Sequence, residues 1–354
     1  MADRLRLGLI FGGRSAEHEV SVVSAQHVIA AADRERFEVV PIGVTKSGVW
    51  LTTEETEAAL ARPEPPFQKR LEAQGQGPAS LGKGIRSLAA MDVVFPLVHG
   101  THGEDGTLQG LLEMAGLPYV GCGVAASAVG MDKALMKALF RAESLPVADY
   151  IVVTAADWAR DELAAAREVE TELPYPAFVK PANGGSSVGI SKARGREELI
   201  AAVTEAARYD RKIVIEAEVR GREVECAVLG NDEPEASPVG EVRYKRDFYD
   251  YEAKYLDPAT EVIAPTDLAP ETVGRVQALA VRAFRAIDGA GMSRVDFFLR
   301  PDGSLVVDEI NTIPGFTPAS MFPRLWGAVG VSYSELITRL VDLALARYRE
   351  KRIV

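Results

Sequence analysis

The residues best equipped for chemistry lie between Ser293 and Thr317, in the stretch SRVDFFLRPDGSLVVDEINTIPGFT. Two strand-like runs, Ser293 to Arg300 and Ser304 to Ile310, flank Asp302-Gly303. That pair predicts a two-residue type I′ hairpin turn. In so tight a turn Pro301 lies opposite Ser304, and counting outward sets Asp296 opposite Glu309 and Arg294 opposite Asn311. Strand side chains alternate faces, so all four project from one face. Two carboxylates directly across a ladder repel unless something stands between them. A divalent cation with hard oxygen ligands, such as Mg²⁺, is one answer. A solvated face on which Arg294 offsets the acids is the other.

A second stretch, Lys180 to Gly189, reads KPANGGSSVG after a strand-like run. Gly184 and Gly185 let the backbone approach a ligand, and successive N–H groups can cradle phosphate oxygens. Ser186 and Ser187 add donors and Lys180 a compact positive charge. An ordinary polar turn is the alternative, but a phosphate loop and a Mg²⁺ face together suit nucleotide chemistry. His99 to Asp105, HGTHGED, carries metal-like residue types without a third ligand cluster, which favours a polar active-site loop over a metal site. Glu17 falls in the first turn of the first helix, where a glutamate commonly does no more than complement the helix dipole. Tyr244 to Tyr255, YKRDFYDYEAKY, mixes bases, acids and aromatics and reads as a lid over a small charged ligand rather than an RNA-stacking surface.

Two patterns mislead. Gly77 to Gly84, GPASLGKG, resembles a Walker A loop but has Gly84 where Ser or Thr should be and no preceding strand, so it is rejected. Gly121 to Ala126, GCGVAA, follows a short strand, with Glu143 at about the spacing of a ribose contact. It supports a rival reading as a dinucleotide-dependent oxidoreductase.

The elements that must position these groups follow from hydrophobic pattern. Leu5 to Phe11 is a buried strand, Gly12-Gly13 a turn, Ser15 a candidate N-cap, and Val20, Val23, His27 and Val28 mark a helix before the strand Phe37 to Val44. Strand, glycine turn, helix and strand open an α/β domain. Residues 45 to 90, with a proline-rich and a glycine-rich piece, read as an insertion or surface excursion. Strand Asp92 to Val98, helix Leu108 to Ala115, helix Lys133 to Glu143, strands Ala177 to Lys180, Lys212 to Glu216 and Glu223 to Leu229, helix Glu271 to Ile287 and helix Tyr333 to Tyr348 complete the pattern. The expected domains are 1–125, 126–217 and 218–354, the last carrying a lid at 243–256 and the metal-site hairpin.

Bulk properties narrow the class. The chain of 354 residues is 47% hydrophobic and 26% charged, as expected of a soluble globular protein. Its net charge of −11 argues against a nucleic-acid or anionic-membrane binder. No apolar run reaches membrane-spanning length. Two cysteines without CxxC spacing point to reduced thiols in the cytoplasm, and four histidines make a histidine-rich metal site a poor expectation.

Taken together, GGRSAEHEVS, HGTHGEDGTLQG, MDK, KPANGGSSVG, GREVECAVLG, FYDYEAKY, SRVDFF and EINTIPGFT resemble the D-alanine–D-alanine ligases of the ATP-grasp superfamily, in that family's order and over nearly the whole chain. The resemblance implies a three-domain ATP-grasp architecture: an N-terminal Rossmann-like parallel-sheet domain and two α+β domains clasping ATP. It implies ATP-dependent joining of two D-alanines through an acyl phosphate, for peptidoglycan synthesis and cell shape, in a cytoplasmic homodimer with no nucleic-acid or membrane partner. D-Alanyl-D-lactate or another carboxylate–amine ligation is the neighbouring alternative. By the same resemblance Asp296, Glu309 and Asn311 hold Mg²⁺ or Mn²⁺, two ions per site. Lys133, Lys180, Gly185, Ser186 and Ser187 bind phosphates, with Glu216 and Glu223 on adenine and ribose. Glu17, with His99 nearby, holds the first ammonium and links to Ser186 and Tyr255. Arg294 and the Gly315 N–H face an oxyanion, and Lys254, Ser320 and Met321 hold the second carboxylate. Tyr255, where D-lactate users carry Phe, favours D-alanine as second substrate. Ala217 departs from relatives that place lysine after the glutamate.

Overall fold

The structure, a computed structural model, describes residues 4–62, 64–65, 69–72, 77–244 and 259–351. It begins with β1 (Leu5–Gly12), whose Leu7, Leu9, Ile10 and Phe11 are fully buried. A strand apolar on both faces belongs at the centre of a covered parallel sheet. β1 is flanked in parallel by β2 (Phe37–Val44) and β3 (Val93–Leu97), giving the order β2-β1-β3. α1 (His18–Ala31) returns the chain between β1 and β2. The turn before it requires glycine, since Gly12 sits at φ +90 and a methyl there would lie 2.2 Å from the Val44 carbonyl. Ser15 is not the N-cap: Glu17 occupies that position, and Ser15 Oγ accepts from the Glu17 N–H at 3.2 Å. The helix therefore starts two residues later than a Ser15 cap would place it.

Residues 45 to 90 are less of an excursion than expected. They contain α2 (Thr53–Leu60), closed by a Thr52/Glu55 capping box, and α3 (Gly77–Leu88). Leu51, Ala59 and Leu71 join the core formed with Phe11 and Phe37. His18, buried at the helix start, binds the Gly13 carbonyl through Nδ1 and accepts the Leu71 N–H on Nε2, which ties this segment to the glycine turn. The Walker-like GPASLGKG is the start of α3, so it forms no phosphate loop.

After α4 (Thr107–Met114), α5 (Val124–Met131) and α6 (Lys133–Ala142), the chain builds a four-stranded antiparallel sheet from β4 (Tyr150–Thr154), β5 (Ala177–Pro181), β6 (Ser191–Ala193) and β7 (Lys212–Ala217), in the order β4-β7-β5-β6. The charged segment after β4 forms two helices, α7 (Ala155–Arg160) and α8 (Glu162–Glu172), divided at Asp161, which caps the second. With α9 (Arg196–Ala206), α7 and α8 bury the sheet's apolar face. The GCGVAA turn is packed inside: Gly121 lies against Gly291, where a methyl would come within 2.9 Å of the Gly121 N, and Cys122 is buried. The first glycine of the pattern is thus engaged in packing, which removes the support for the oxidoreductase reading.

The third sheet is antiparallel, ordered β10-β9-β8-β11-β12, from β8 (Arg222–Gly230), β9 (Glu235–Arg243), β10 (Glu261–Ile263), β11 (Gly291–Leu299) and β12 (Leu305–Asn311). α10 (Pro270–Ala286), α5 and α6 share its core. α11 (Met321–Gly327) and α12 (Tyr333–Lys351) bury Trp326, Leu336, Leu340 and Val341 in one core with Leu7 and Leu9 of β1, which fixes the parallel sheet against the third.

The hairpin β11–β12 reaches the expected pairing by an unexpected route. Arg300, not Pro301, faces Ser304, its N–H bonding the Ser304 carbonyl at 2.9 Å. The loop is Pro301-Asp302-Gly303, closed by Gly303 N–H to the Arg300 carbonyl, with Gly303 at φ +80. Proline's fixed φ suits the second position of a type I turn, with left-handed glycine closing it. Asp302 stays out of the positive-φ region that a type I′ turn demands of it. The resulting one-residue offset is cancelled by a bulge at Asp308: Phe297 faces Val307, but Asp296 faces Glu309 and Arg294 faces Asn311. A methyl on Gly303 meets nothing within 4 Å, so Gly303→Ala should cost only the backbone strain of a left-handed alanine, about 1 kcal/mol. Chemical denaturation reads this.

Candidate active site

A cavity of about 560 Å³ lies where the three sheets converge, and every candidate site residue among those described lines it. Lys254, Tyr255 and most of the expected lid at 243–256 lie outside the described residues.

The hairpin supplies one wall. Arg294 grips Asp296 with two bonds of 2.7 Å and reaches Glu225 of β8 at 3.0 Å. Burial disfavours the guanidinium charge, but Asp296 and Glu225 outweigh it and hold Arg294 well above its ordinary pKa. Asn311 donates its amide N–H to Asp296 at 3.0 Å, which leaves the amide oxygen as a donor to a cation. The β-bulge turns two successive acids, Asp308 and Glu309, to the cavity. Among the described residues no three His, Cys, Asp or Glu side chains are disposed to hold a metal by themselves. Two carboxylates and an amide oxygen suit Mg²⁺ that completes its shell with ligand phosphates and water.

Lysines form the opposite wall. Asp132 caps α6 by accepting from the Ala134 and Leu135 N–H groups, which sets Lys133 as the first helical residue. Lys133 Nζ donates to the Gly184 carbonyl at 2.9 Å and lies 3.8 Å from Glu309. Lys180, from β5, reaches Glu216 at 3.1 Å and Asp308 at 3.2 Å. Burial works against its charge, yet Asp308 and Glu216 raise its pKa above the ordinary lysine value. Asp308 is the converse: burial opposes ionisation, but Lys180 and Lys137 lower it to about 2. Beyond Glu216, the Tyr244 hydroxyl donates to Glu223. Where Ala217 departs from lysine, Lys192 of β6 stands over the Phe178 ring and pairs with Glu218 at 2.6 Å.

The third wall comes from the parallel sheet. Glu17 meets the glycine loop closely, since a methyl on Gly185 would fall 2.9 Å from its Oε2. Ser186 and Ser187 follow at φ 51 and 59, and the buried Ser186 Oγ has no hydrogen-bond partner among the described residues. His99 donates from Nδ1 to the Ile313 carbonyl at 3.0 Å. Burial lowers its pKa despite the opposing charge of Glu17, so the ring is neutral. His102 is exposed at φ 65, which separates the two histidines and leaves HGTHGED a structural loop that delivers His99 and Glu104. Ser320 accepts the Thr317 N–H at 3.1 Å and crowds Gly315, and Met321 opens α11.

Four participants escaped the sequence reading. Asp308 was hidden because strict alternation turns it away, and only the bulge brings it in. Glu225 required knowing that β8 pairs with β11. Lys137 lies four residues beyond Lys133, a spacing that was available as a signal. Glu104 accepts the Gly100 N–H at 2.6 Å and the Ile313 N–H at 3.0 Å, joining loops 209 residues apart.

Residues 6–122 match the family model described as D-ala D-ala ligase N-terminus, and residues 139–342 that described as D-ala D-ala ligase C-terminus. The chain is 50% identical over 351 residues to the D-alanine–D-alanine ligase of Heliobacterium modesticaldum, covering 98% of this chain and 96% of that one. Its structure is similar to that of the D-alanine–D-alanine ligase from Coxiella burnetii, with TM-score 0.82 and 35% identity over 99% of this chain and 97% of the other. The ligase from Bacillus anthracis in complex with ATP gives TM-score 0.74 and 27% identity over 98% and 99%.

Burial, and then the charge of Glu17, push the Glu104 carboxyl up to about 8. Between the ordinary carboxylate range and about 8 the folded protein keeps a proton that the unfolded chain has released. Stability in the ligand-free protein should therefore fall as pH rises through that window and level off above it. From pH 5 to 8 the loss should be roughly 3 to 4 kcal/mol, and absent from the slope of Glu104→Gln, read by denaturant titration at each pH.

Proposed function

The chain belongs to the D-alanine–D-alanine ligase family, and from that premise we propose that its cavity joins two D-alanine molecules at the expense of ATP, through an acyl phosphate. One observation carries the reading: Lys133 and Lys180 face Asp296, Glu309 and Asn311 across a single cavity whose third wall holds Glu17 and His99. Phosphoryl transfer asks for positioning and charge neutralisation rather than a protein nucleophile, and this set offers both.

In the proposed sequence Lys133, Lys180 and the N–H groups of Gly185, Ser186 and Ser187 hold the ATP phosphates. Glu216 and Glu223 take the adenine and ribose. Asp296, Glu309 and Asn311 would hold Mg²⁺ or Mn²⁺, two ions per site, which when bound supply positive charge to the phosphate oxygens. Glu17, beside His99, binds the first D-alanine's ammonium and leaves its carboxylate directed at the γ-phosphorus. That oxygen forms the new O–P bond, the bond to the β-phosphate breaks, and ADP departs. The second D-alanine, its carboxylate on Lys254, Ser320 and the Met321 backbone, attacks the acyl carbon through its amine. Arg294 and the Gly315 N–H receive the oxyanion until the C–O bond to phosphate breaks. That the buried Ser186 Oγ has no hydrogen-bond partner among the described residues supports a link from Glu17 through Ser186 to Tyr255 that closes a lid.

The proposed units 1–125, 126–217 and 218–354 each carry one of the three sheets. The product would serve peptidoglycan synthesis. No described helix is long and apolar enough to cross a membrane. We assign the cytoplasm, in keeping with two free, buried cysteines, and a homodimer, which light scattering would read.

Incubation with ATP, Mg²⁺ and D-alanine should release phosphate and yield the dipeptide; release with another amino or hydroxy acid instead would reassign the substrate. Glu309→Gln should lower turnover at least about a hundredfold with an unchanged circular dichroism spectrum, since it removes a carboxylate that would hold the phosphate-neutralising metal. Tyr255→Phe should shift the second substrate towards D-lactate in a competition assay, and an unchanged preference would remove Tyr255 from the specificity set.

A further inference from the structure

α6 presents two lysines four residues apart, hence on one face. Lys133 lines the cavity, whereas Lys137 is fully buried behind it. The Lys137 ammonium lies 3.3 Å from Glu216 Oε1 and 3.9 Å from Asp308 Oδ1, and donates to the Asp308 backbone carbonyl at 3.2 Å. Lys180 touches the same two carboxylates from the other side, at 3.1 and 3.2 Å. Two cations and two anions thus alternate in one buried cluster, and their charges balance. The two lysines are not equivalent: the Lys180 side chain is 11% exposed and lines the cavity, and that of Lys137 is 1% exposed and does not.

An anion in the cavity competes with Glu216 and Asp308 for Lys180. Were Lys180 their only cation, each step of its ammonium towards the anion would leave two buried carboxylates uncompensated, a strongly unfavourable state. Lys137 removes that obstacle, because it stays on both carboxylates and cannot itself reach the ligand. Its bond to the Asp308 carbonyl also pins the bulge that turns Glu309 into the site. We propose that Lys137 is a positioning residue for phosphate binding: it supplies the counter-charge that allows Lys180 to turn from Glu216 and Asp308 to the phosphates of ATP. The assignment rests on the ATP-dependent ligase reading.

The test compares the parent, Lys137→Met, Asp308→Asn and the double variant by calorimetric titration with ATP in Mg²⁺ and by KM for ATP and for D-alanine. Lys137→Met should weaken ATP at least tenfold in both readouts and leave the KM for D-alanine within twofold. Adding Asp308→Asn, which removes one buried negative charge, should bring ATP affinity back to within threefold of the parent. A merely structural lysine would lower thermal stability without this split, and charge-matching at Asp308 would not restore affinity. Parent-like ATP affinity in Lys137→Met overturns the assignment. If Lys137→Met fails to fold, the double variant decides alone: ATP affinity within threefold of the parent supports the assignment and a larger loss overturns it. A parent that neither binds nor turns over ATP overturns the functional reading itself, which separates the two failures.

Discussion

Two like charges facing each other across a β-ladder set the constraint from which the rest of the site follows. Asp296 and Glu309 are direct cross-strand partners. At about 5 Å and an effective dielectric of about 20, two such charges repel by roughly 3 kcal/mol. One arginine two residues away can answer Asp296, and it does so with both guanidinium arms. Glu309 and its bulged neighbour Asp308 need cations from elsewhere, and these come from α6 and β5. The hairpin can therefore stand only where the four-stranded sheet and α6 close over it. The cavity is the space left between those charges.

The same constraint explains why burial pushes neighbouring groups in different directions. Desolvation disfavours every buried charge, and what differs is the company each group keeps. Asp308 has two ammonium groups and stays ionised. Glu104 has two backbone N–H donors but also the charges of Glu17 and Glu309, and keeps its proton. His99 stays neutral although Glu17 favours its charge. The wall from the parallel sheet is thus held just short of full negative charge, a suitable surface for an ammonium group, while the opposite wall holds the lysines that the proposed function assigns to phosphate. The polarity of the cavity matches a zwitterion set beside a polyphosphate.

Much of this was legible in sequence because it depended on local chemistry. Buried strands announced themselves as unbroken apolar runs, as in Leu5–Phe11, and helices by their hydrophobic pattern, as in Lys133–Ala142, whereas the cap read at Ser15 fell two residues short. Most motif residues fell on one cavity because they sit near element ends, while Arg294 and Asp296 lie within β11 and reach it from the strand's face. The hairpin is the instructive case. Asp302-Gly303 suggested a two-residue turn, Pro301 made a longer one, and the bulge at Asp308 restored the pairing, so the right partners followed from two errors that cancel. Asp308, Glu225 and Glu104 act through a bulge or pairings distant in the chain, which no local pattern reports, whereas Lys137 was signalled by its i+4 spacing from Lys133. Residues 45 to 90 misled for a related reason: their helices are short and their apolar residues sparse, so Leu51, Ala59 and Leu71 reveal themselves as core only once β2 is there to receive them.

The donor set at the hairpin also determines how a metal can bind. Mg²⁺ gives up water reluctantly and asks for near-octahedral oxygen ligation, which Asp296, Glu309 and one amide oxygen cannot complete. The same groups are engaged without it: Arg294 and Asn311 hold Asp296, and Lys133 stands near Glu309. A cation arriving alone would have to displace these partners and would gain few ligands in exchange. Arriving with a polyphosphate, it brings oxygens of its own, and the lysines it displaces find phosphate in place of carboxylate. On the proposed function, metal and nucleotide binding would thereby be coupled through the exchange of ionic partners, and the buried cluster of Lys137, Lys180, Glu216 and Asp308 is where that exchange would have to be kept in balance.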